Sequence, residues 1–234
     1  MNIYQNQIAK NGFTVIDDVF SEEQILQFCE KIENANSSSD TFRRSTDLFA
    51  IRQFLKEVPD IYPLIFNDTF KNLLAGLFTE DHFVVKSIYF DKPEQSNWFV
   101  SYHQDLTISV NKKMELDGFT KWTVKQGQFA VQPPLHILEK SFTVRIHLDD
   151  TDANNGALKV VPGSHLKQIY RPEAIDWDKE TEFTCAVPRG GVMIMKPLLL
   201  HSSNRTTNNN KRRVIHIEFC CHELPGGLQW SERI

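Results

Sequence analysis

Apolar and polar positions change their grammar partway along the chain. Residues 12–20 alternate like a short strand, and Ser21 followed by Glu22 and Glu23 offers an N-cap for a helix running toward Asn34. Ile25, Phe28 and Ile32 fall on one face of that helix. A second helical zone is predicted over 48–58, ended by Pro59, and a third over 68–78 with Phe70, Leu73, Leu74 and Leu77 as its inner stripe. Beyond residue 82 the pattern becomes short runs, at 83–90, 97–109, 142–148, 157–161, 191–195 and 213–219. Most are rich in β-branched or aromatic residues and bounded by Gly, Pro, Asn or Asp, which predicts strands. Many strands after a helical start predict a mainly β fold with flanking helices, a double-sheet jelly roll that holds its ligand between the sheets. The expected organisation is one domain over 1–234, with a helical buttress at 1–80 and a jelly-roll core at 81–222.

Residues 111–140 interrupt the strand pattern with Trp122, Phe129, Gln132, Pro133, Pro134 and His136. A segment this long in a compact domain predicts a lid or binding loop, and so many large apolar groups argue against a simple solvent-facing insertion. The runs Ser37-Ser38-Ser39 and Asn208-Asn209-Asn210 predict two flexible loops.

With 234 residues, 41% of them hydrophobic and 17 of them Phe, the chain suffices for one well-buried domain. A net charge of −4 gives no footprint for nucleic acid, and Lys211-Arg212-Arg213 is too short to supply one. The start lacks a charged region followed by an apolar core, and no apolar run is long enough for a membrane span, so a soluble cytoplasmic protein is expected. Cys29, Cys185, Cys220 and Cys221 have neither metal-type nor redox-type spacing and are expected as free thiols.

The candidate chemistry lies in His103-Gln104-Asp105 and in His201, which is followed eleven residues later by Arg212. In a strand, the one-residue gap turns His103 and Asp105 to the same side, where both can reach one ion. Two imidazoles and one carboxylate on one face of an octahedral metal are the ligand set of non-haem Fe(II) oxygenases. Arg212 offers a rigid donor fork matched to a carboxylate, and its neighbour Arg213 should point to the opposite face.

The segment Asn154-Asn155-Gly156-Ala157-Leu158-Lys159-Val160-Val161-Pro162-Gly163-Ser164-His165, lying between the H-x-D and the distal His, resembles the phytanoyl-CoA dioxygenase family of Fe(II)- and 2-oxoglutarate-dependent oxygenases. The resemblance covers roughly 83–220 and keeps the family's motif order: H-x-D, the Asn-Gly to Ser-His segment, then H-x-S with a downstream Arg. It implies a double-stranded β-helix with His103, Asp105 and His201 as iron ligands, Arg212 on the distal carboxylate of 2-oxoglutarate and Ser203 donating to the same group. Lys86 and Arg145 are weaker transfers near the cosubstrate, with internal ion pairing as the other reading. Lys92 and Asn97 precede the metal motif and could shape the pocket.

The resemblance further implies dioxygen activation, release of succinate and carbon dioxide, and hydroxylation of a C–H bond in a small molecule. Asp105 supplies the carboxylate that related halogenases lack, which favours hydroxylation. A jelly-roll protein that binds a metal or ligand without turnover is the competing reading. His82, His147, His165, His216 and His222 are expected to be structural, and His136 belongs to the candidate lid.

Overall fold

The computed structural model of the protein describes residues 2–35, 41–44, 49–93, 98–125 and 127–234. Asn97 and the serine run at 37–39 lie outside the described residues. In chain order, α1 (Ile3–Asn11) leads into β1 (Phe13–Ile16) and α2 (Glu22–Glu33), and β2 (Phe42–Arg44) and β3 (Phe49–Arg52) follow. Next come α3 (Phe54–Glu57), α4 (Tyr62–Ile65) and α5 (Asp68–Leu77). The strand-rich part opens with β4 (Phe83–Lys92), β5 (Val100–His103), β6 (Ile108–Val110), β7 (Thr120–Lys125) and β8 (Gln128–Gln132), before α6 (Leu135–Glu139). It closes with β9 (Ser141–His147), β10 (Leu158–Val160), β11 (Phe183–Cys185), β12 (Val192–Met195), β13 (His201–Ser203) and β14 (Arg212–Cys220).

A seven-stranded sheet in the order β1-β12-β9-β14-β4-β3-β2 faces a four-stranded sheet in the order β11-β10-β13-β5. Neighbouring strands within both sheets pair antiparallel, as a jelly roll requires. Helices cover the outer face of the larger sheet. Ser21 caps α2 by accepting from the Gln24 N–H, and Ile25, Phe28 and Ile32 are buried on its inner face. Asn67 caps α5, whose Phe70 and Leu77 join the same core as Ile215, Ile217 and Phe219 of β14.

Three expectations change. The helix predicted over 48–58 is β3 followed by α3, because Phe49 to Arg52 pair with β4 and Gln53 adopts a left-handed φ of 51° that breaks the chain direction. The N-terminal part is therefore more than a helical buttress: β1, β2 and β3 extend both edges of the main sheet. The strand predicted over 97–109 is two strands in different sheets, parted by a turn at Gln104 and Asp105.

Residues 111–140 form most of a third sheet, in the order β6-β8-β7, together with α6. Their large apolar groups are taken up there, since Trp122 and Phe129 pack against a second core built on Phe119, Val131, Leu138 and Trp230. None of these residues lines the cavity between the two main sheets. All four cysteines are free. Among the described residues, no helix is long and apolar enough to cross a membrane.

Candidate active site

The cavity between the sheets has a volume of about 200 Å³. Strand alternation sets its charged floor. Arg212, Val214, His216 and Glu218 share one face of β14, and their cross-strand partners are Lys92, Phe90, Ile88 and Lys86 on β4. Arg145 stands opposite His216 on β9. The facing wall comes from the smaller sheet, with Val100 and His103 on β5, Leu158 on β10, and His201 and Ser203 on β13.

His103 and His201 are register partners across β5 and β13. One ligand atom from each of His103, Asp105 and His201 lies within 4.8 Å of the others. His103 Nε2 is 3.8 Å from Asp105 Oδ1, and His201 Nε2 is 3.7 Å from Oδ2. The tautomers follow from the backbone. His103 Nδ1 donates to the Ser101 carbonyl and His201 Nδ1 to the Leu199 carbonyl, both at 2.9 Å. Each ring therefore keeps its proton on Nδ1 and presents the Nε2 lone pair toward Asp105, as a metal requires. Donors bound at right angles about 2.1 Å from one ion would stand about 3 Å apart, so the set fits a metal once its separations, now 4.8 Å or less, close toward that value.

Asp105 does not reach this point by strand alternation. β5 ends at His103, and the following turn is tied down by Gln104, whose side-chain amide donates to the Leu198 and Gln168 carbonyls and accepts from the Tyr170 N–H. The Asp105 N–H donates to the Pro197 carbonyl at 2.9 Å. Burial works to raise the Asp105 pKa, but the charges of His201 and Lys86 outweigh it and hold the carboxyl at about 2. His201 is pushed down to about 4 by burial, against the pull of Asp105. Both are thus in ligand form at neutral pH.

At the other end of the cavity, Arg212 Nη1 donates to the Gly156 carbonyl at 2.6 Å and Ser203 Oγ to the same oxygen at 2.9 Å. Arg212 Nε and Arg145 Nε are buried without a hydrogen-bond partner among the described residues. Burial, then Arg145, pulls Arg212 down to about 9, and burial pulls Arg145 to about 10. Two guanidiniums short of counter-charge in one small cavity suit a carboxylate ligand. Lys86 also lines the cavity, with its ammonium 2.6 Å from Glu218. Lys92 is fully buried and donates to the Asn204 carbonyl behind the Arg212 end.

Arg213 turns away and pairs with Asp149 at 2.7 Å, as alternation requires. His216, expected to be only structural, lines the cavity, accepting from Arg145 Nη1 at 3.1 Å and donating to Glu218 at 3.0 Å. Its place was legible: it and Glu218 stand four and six residues beyond Arg212, on the same strand face. His165 donates to the Ala9 carbonyl, His147 pairs with Thr151, and the His136 ring meets His222 away from the cavity.

Two facing sheets with this donor set and a buried arginine between them define the jelly-roll class of non-haem iron oxygenases. A family model described as phytanoyl-CoA dioxygenase (PhyH) matches residues 8–214, and the chain belongs to that family. It is accordingly a 2-oxoglutarate-dependent non-haem iron oxygenase, with Fe(II) as its metal and 2-oxoglutarate as cosubstrate. No curated protein matches the chain.

Among solved structures it is similar to EctD from S. alaskensis with bound Fe, at 16% identity and a TM-score of 0.71, over 92% of this chain and 75% of that one. It is also similar to HygX from Streptomyces hygroscopicus with nickel, 2-oxoglutarate and hygromycin B bound, at 14% identity and a TM-score of 0.66, over 94% and 87% of the two chains. A third is the carbocyclase SnoK from nogalamycin biosynthesis, at 16% identity and a TM-score of 0.64, over 94% and 83%. At these identities the likeness is one of fold.

Proposed function

We propose that the protein hydroxylates an unactivated C–H bond of a small organic molecule, with His103, Asp105 and His201 holding Fe(II) and Arg212 and Ser203 taking the distal carboxylate of 2-oxoglutarate. The observation that carries this reading is the convergence of the three metal-type donors and an under-partnered Arg212 on one cavity. The structures of HygX with 2-oxoglutarate and hygromycin B, and of EctD with 2-oxoglutarate and 5-hydroxyectoine, support a small-molecule substrate.

When bound, the iron and cosubstrate supply the oxidation: dioxygen and 2-oxoglutarate are consumed, succinate and carbon dioxide leave, and one oxygen atom reaches the substrate. The chain binds and orients. The Nδ1 bonds to Ser101 and Leu199 hold both imidazoles in their ligating tautomer. Ser203 Oγ and Arg212 Nη1, which now share the Gly156 carbonyl, have an incoming carboxylate as a stronger acceptor. Arg145 adds a second positive charge beside it, whereas the Lys86 ammonium is committed to Glu218. Ile88, Phe90, Trp98, Val100 and Leu158 give the cavity an apolar wall that keeps water from the reacting carbon.

The test is substrate-stimulated succinate release under isotopically labelled dioxygen. Hydroxylation places one labelled atom in succinate and one in the product. Ring closure or inversion at carbon without label in the product, the outcomes named for SnoK and for the epimerase SnoN, would overturn hydroxylation. Absence of succinate with Fe(II), 2-oxoglutarate and every substrate tried would overturn the whole reading.

A further inference from the structure

A second set of metal-type donors lies away from the cavity. A ring nitrogen of His82, the Sγ of Cys221 and a carboxylate oxygen of Glu80 lie within 4.8 Å of one another. The sheet brings them together. Phe83 and Cys220 are the last register pair of β4 and β14, so the next residues outward, His82 and Cys221, leave the sheet side by side. The His82 ring packs against Phe78 and Phe142, at centroid distances of 5.3 and 4.9 Å. Glu80 divides its two oxygens: Oε1 takes Lys140 Nζ at 2.6 Å, and Oε2 accepts from the Cys221 thiol at 3.3 Å. Glu80 and His82 also line the rim of a cleft of about 540 Å³ floored by Phe66, Phe142 and Phe219.

We propose that Glu80, His82 and Cys221 form a second metal site, for a divalent transition ion of the zinc type, with its fourth position open to water or a ligand in the cleft. Thiolate, imidazole and carboxylate are all donors that zinc takes in tetrahedral sites. The sulfur makes this set softer than the two imidazoles and carboxylate between the sheets, so the two sites sort different ions. Binding breaks the Cys221 S–H bond; the sulfur electron pair goes to the metal and the proton to solvent, with no change of oxidation state. That proton is the first competitor, because burial and then Glu80 push the free thiol up to about 11. Lys140 is the second, drawing charge from Glu80 through Oε1 while leaving Oε2, on the Cys221 side, for the metal. A bound ion would clasp the start of β4 to the end of β14 and stabilise the folded chain.

Cobalt(II), titrated without oxygen into the full chain, is the probe, read by ions bound and by the near-ultraviolet thiolate-to-cobalt band. The expected result is a second cobalt per chain that carries this band. Cys221→Ser and His82→Gln remove that ion and its band but keep the ion between the sheets, and Lys140→Ala tightens the band-bearing site several-fold. Zinc should raise the unfolding temperature of the wild type by more than that of Cys221→Ser, which keeps only the site between the sheets. A titration that ends at one cobalt without the band, or a band that survives Cys221→Ser, overturns the proposal. The band reports sulfur alone, so loss of the sulfur-free ion in His103→Ala bears on the proposed function and not on this site.

Discussion

The rings of His103 and His201 lie 4.2 Å apart, tilted by 50°, and each gives its Nδ1 proton to the carbonyl two residues before it. The presentation of both Nε2 atoms toward Asp105 is therefore built into the β5–β13 register and the local backbone. What aims the third donor is a different device, the Gln104 anchor beneath Asp105.

Gln104→Ala should accordingly weaken Fe(II) binding by roughly 10–100-fold, the usual effect of losing a group that orients a ligand. The Leu198 and Gln168 carbonyls lose their donor, and the turn that carries Asp105 is released. Iron titration checks this, and unchanged affinity would show that the turn holds itself.

Arg212 and Arg213 stand on adjacent positions and face opposite ways, Arg212 into the cavity and Arg213 onto Asp149. Arg212→Ala should raise the 2-oxoglutarate KM by at least tenfold while leaving the iron requirement nearly unchanged, since a charge-assisted hydrogen bond contributes about 1.5–3 kcal/mol. Arg213→Ala should lower stability through the lost Asp149 pair and leave the KM alone. Equal effects of the two substitutions on KM would contradict the face assignment.

Gly156 has φ +84°, and a Cβ there would stand 2.8 Å from Lys92 Nζ and 2.9 Å from the Asn204 carbonyl oxygen. Gly156→Ala should cost roughly 1–3 kcal/mol of stability. Because the Gly156 carbonyl receives both Arg212 and Ser203, the 2-oxoglutarate KM should rise as well. Urea unfolding and steady-state kinetics measure the two effects.

Acid should destabilise the metal-free protein. Burial pushes His201 from 6.5 to about 4 and lowers His147 and His216 as well. Between those values the unfolded chain binds more protons, so stability is full above about pH 6.5 and falls as pH drops toward 4, by roughly 1.4 kcal/mol per pH unit for each fully shifted histidine. Asp105, held at about 2, adds its own loss only below its ordinary value of 3.8. Urea midpoints at pH 7 and pH 5 should differ, less so in His201→Gln; identical midpoints would contradict the shift.

Much of this site is written in residue order. The H-x-D, H-x-S and Arg spacing pointed to side chains that the fold brings to one cavity, and the Arg212/Arg213 alternation predicted which guanidinium faces inward. The apolar stripes of α2 and α5 were equally plain, because buried residues recur at helical spacing. α1 escaped because it buries only Ile8 and so carries almost no apolar stripe. β3 escaped because pairing with β4 on one side and β2 on the other overrode a helical pattern. The 111–140 segment was misleading for a related reason: its apolar residues answer to Trp230 and the second core, a long-range partner that local periodicity does not reveal.

The most direct test of the central claim is the visible charge-transfer absorption of an anaerobic mixture of protein, Fe(II) and 2-oxoglutarate. The wild type should develop the weak band of chelated cosubstrate, and His103→Ala, Asp105→Ala and His201→Ala should each abolish it while remaining folded. A band that survives removal of any one of the three, or a wild type that never forms it, would contradict the assignment of the iron site.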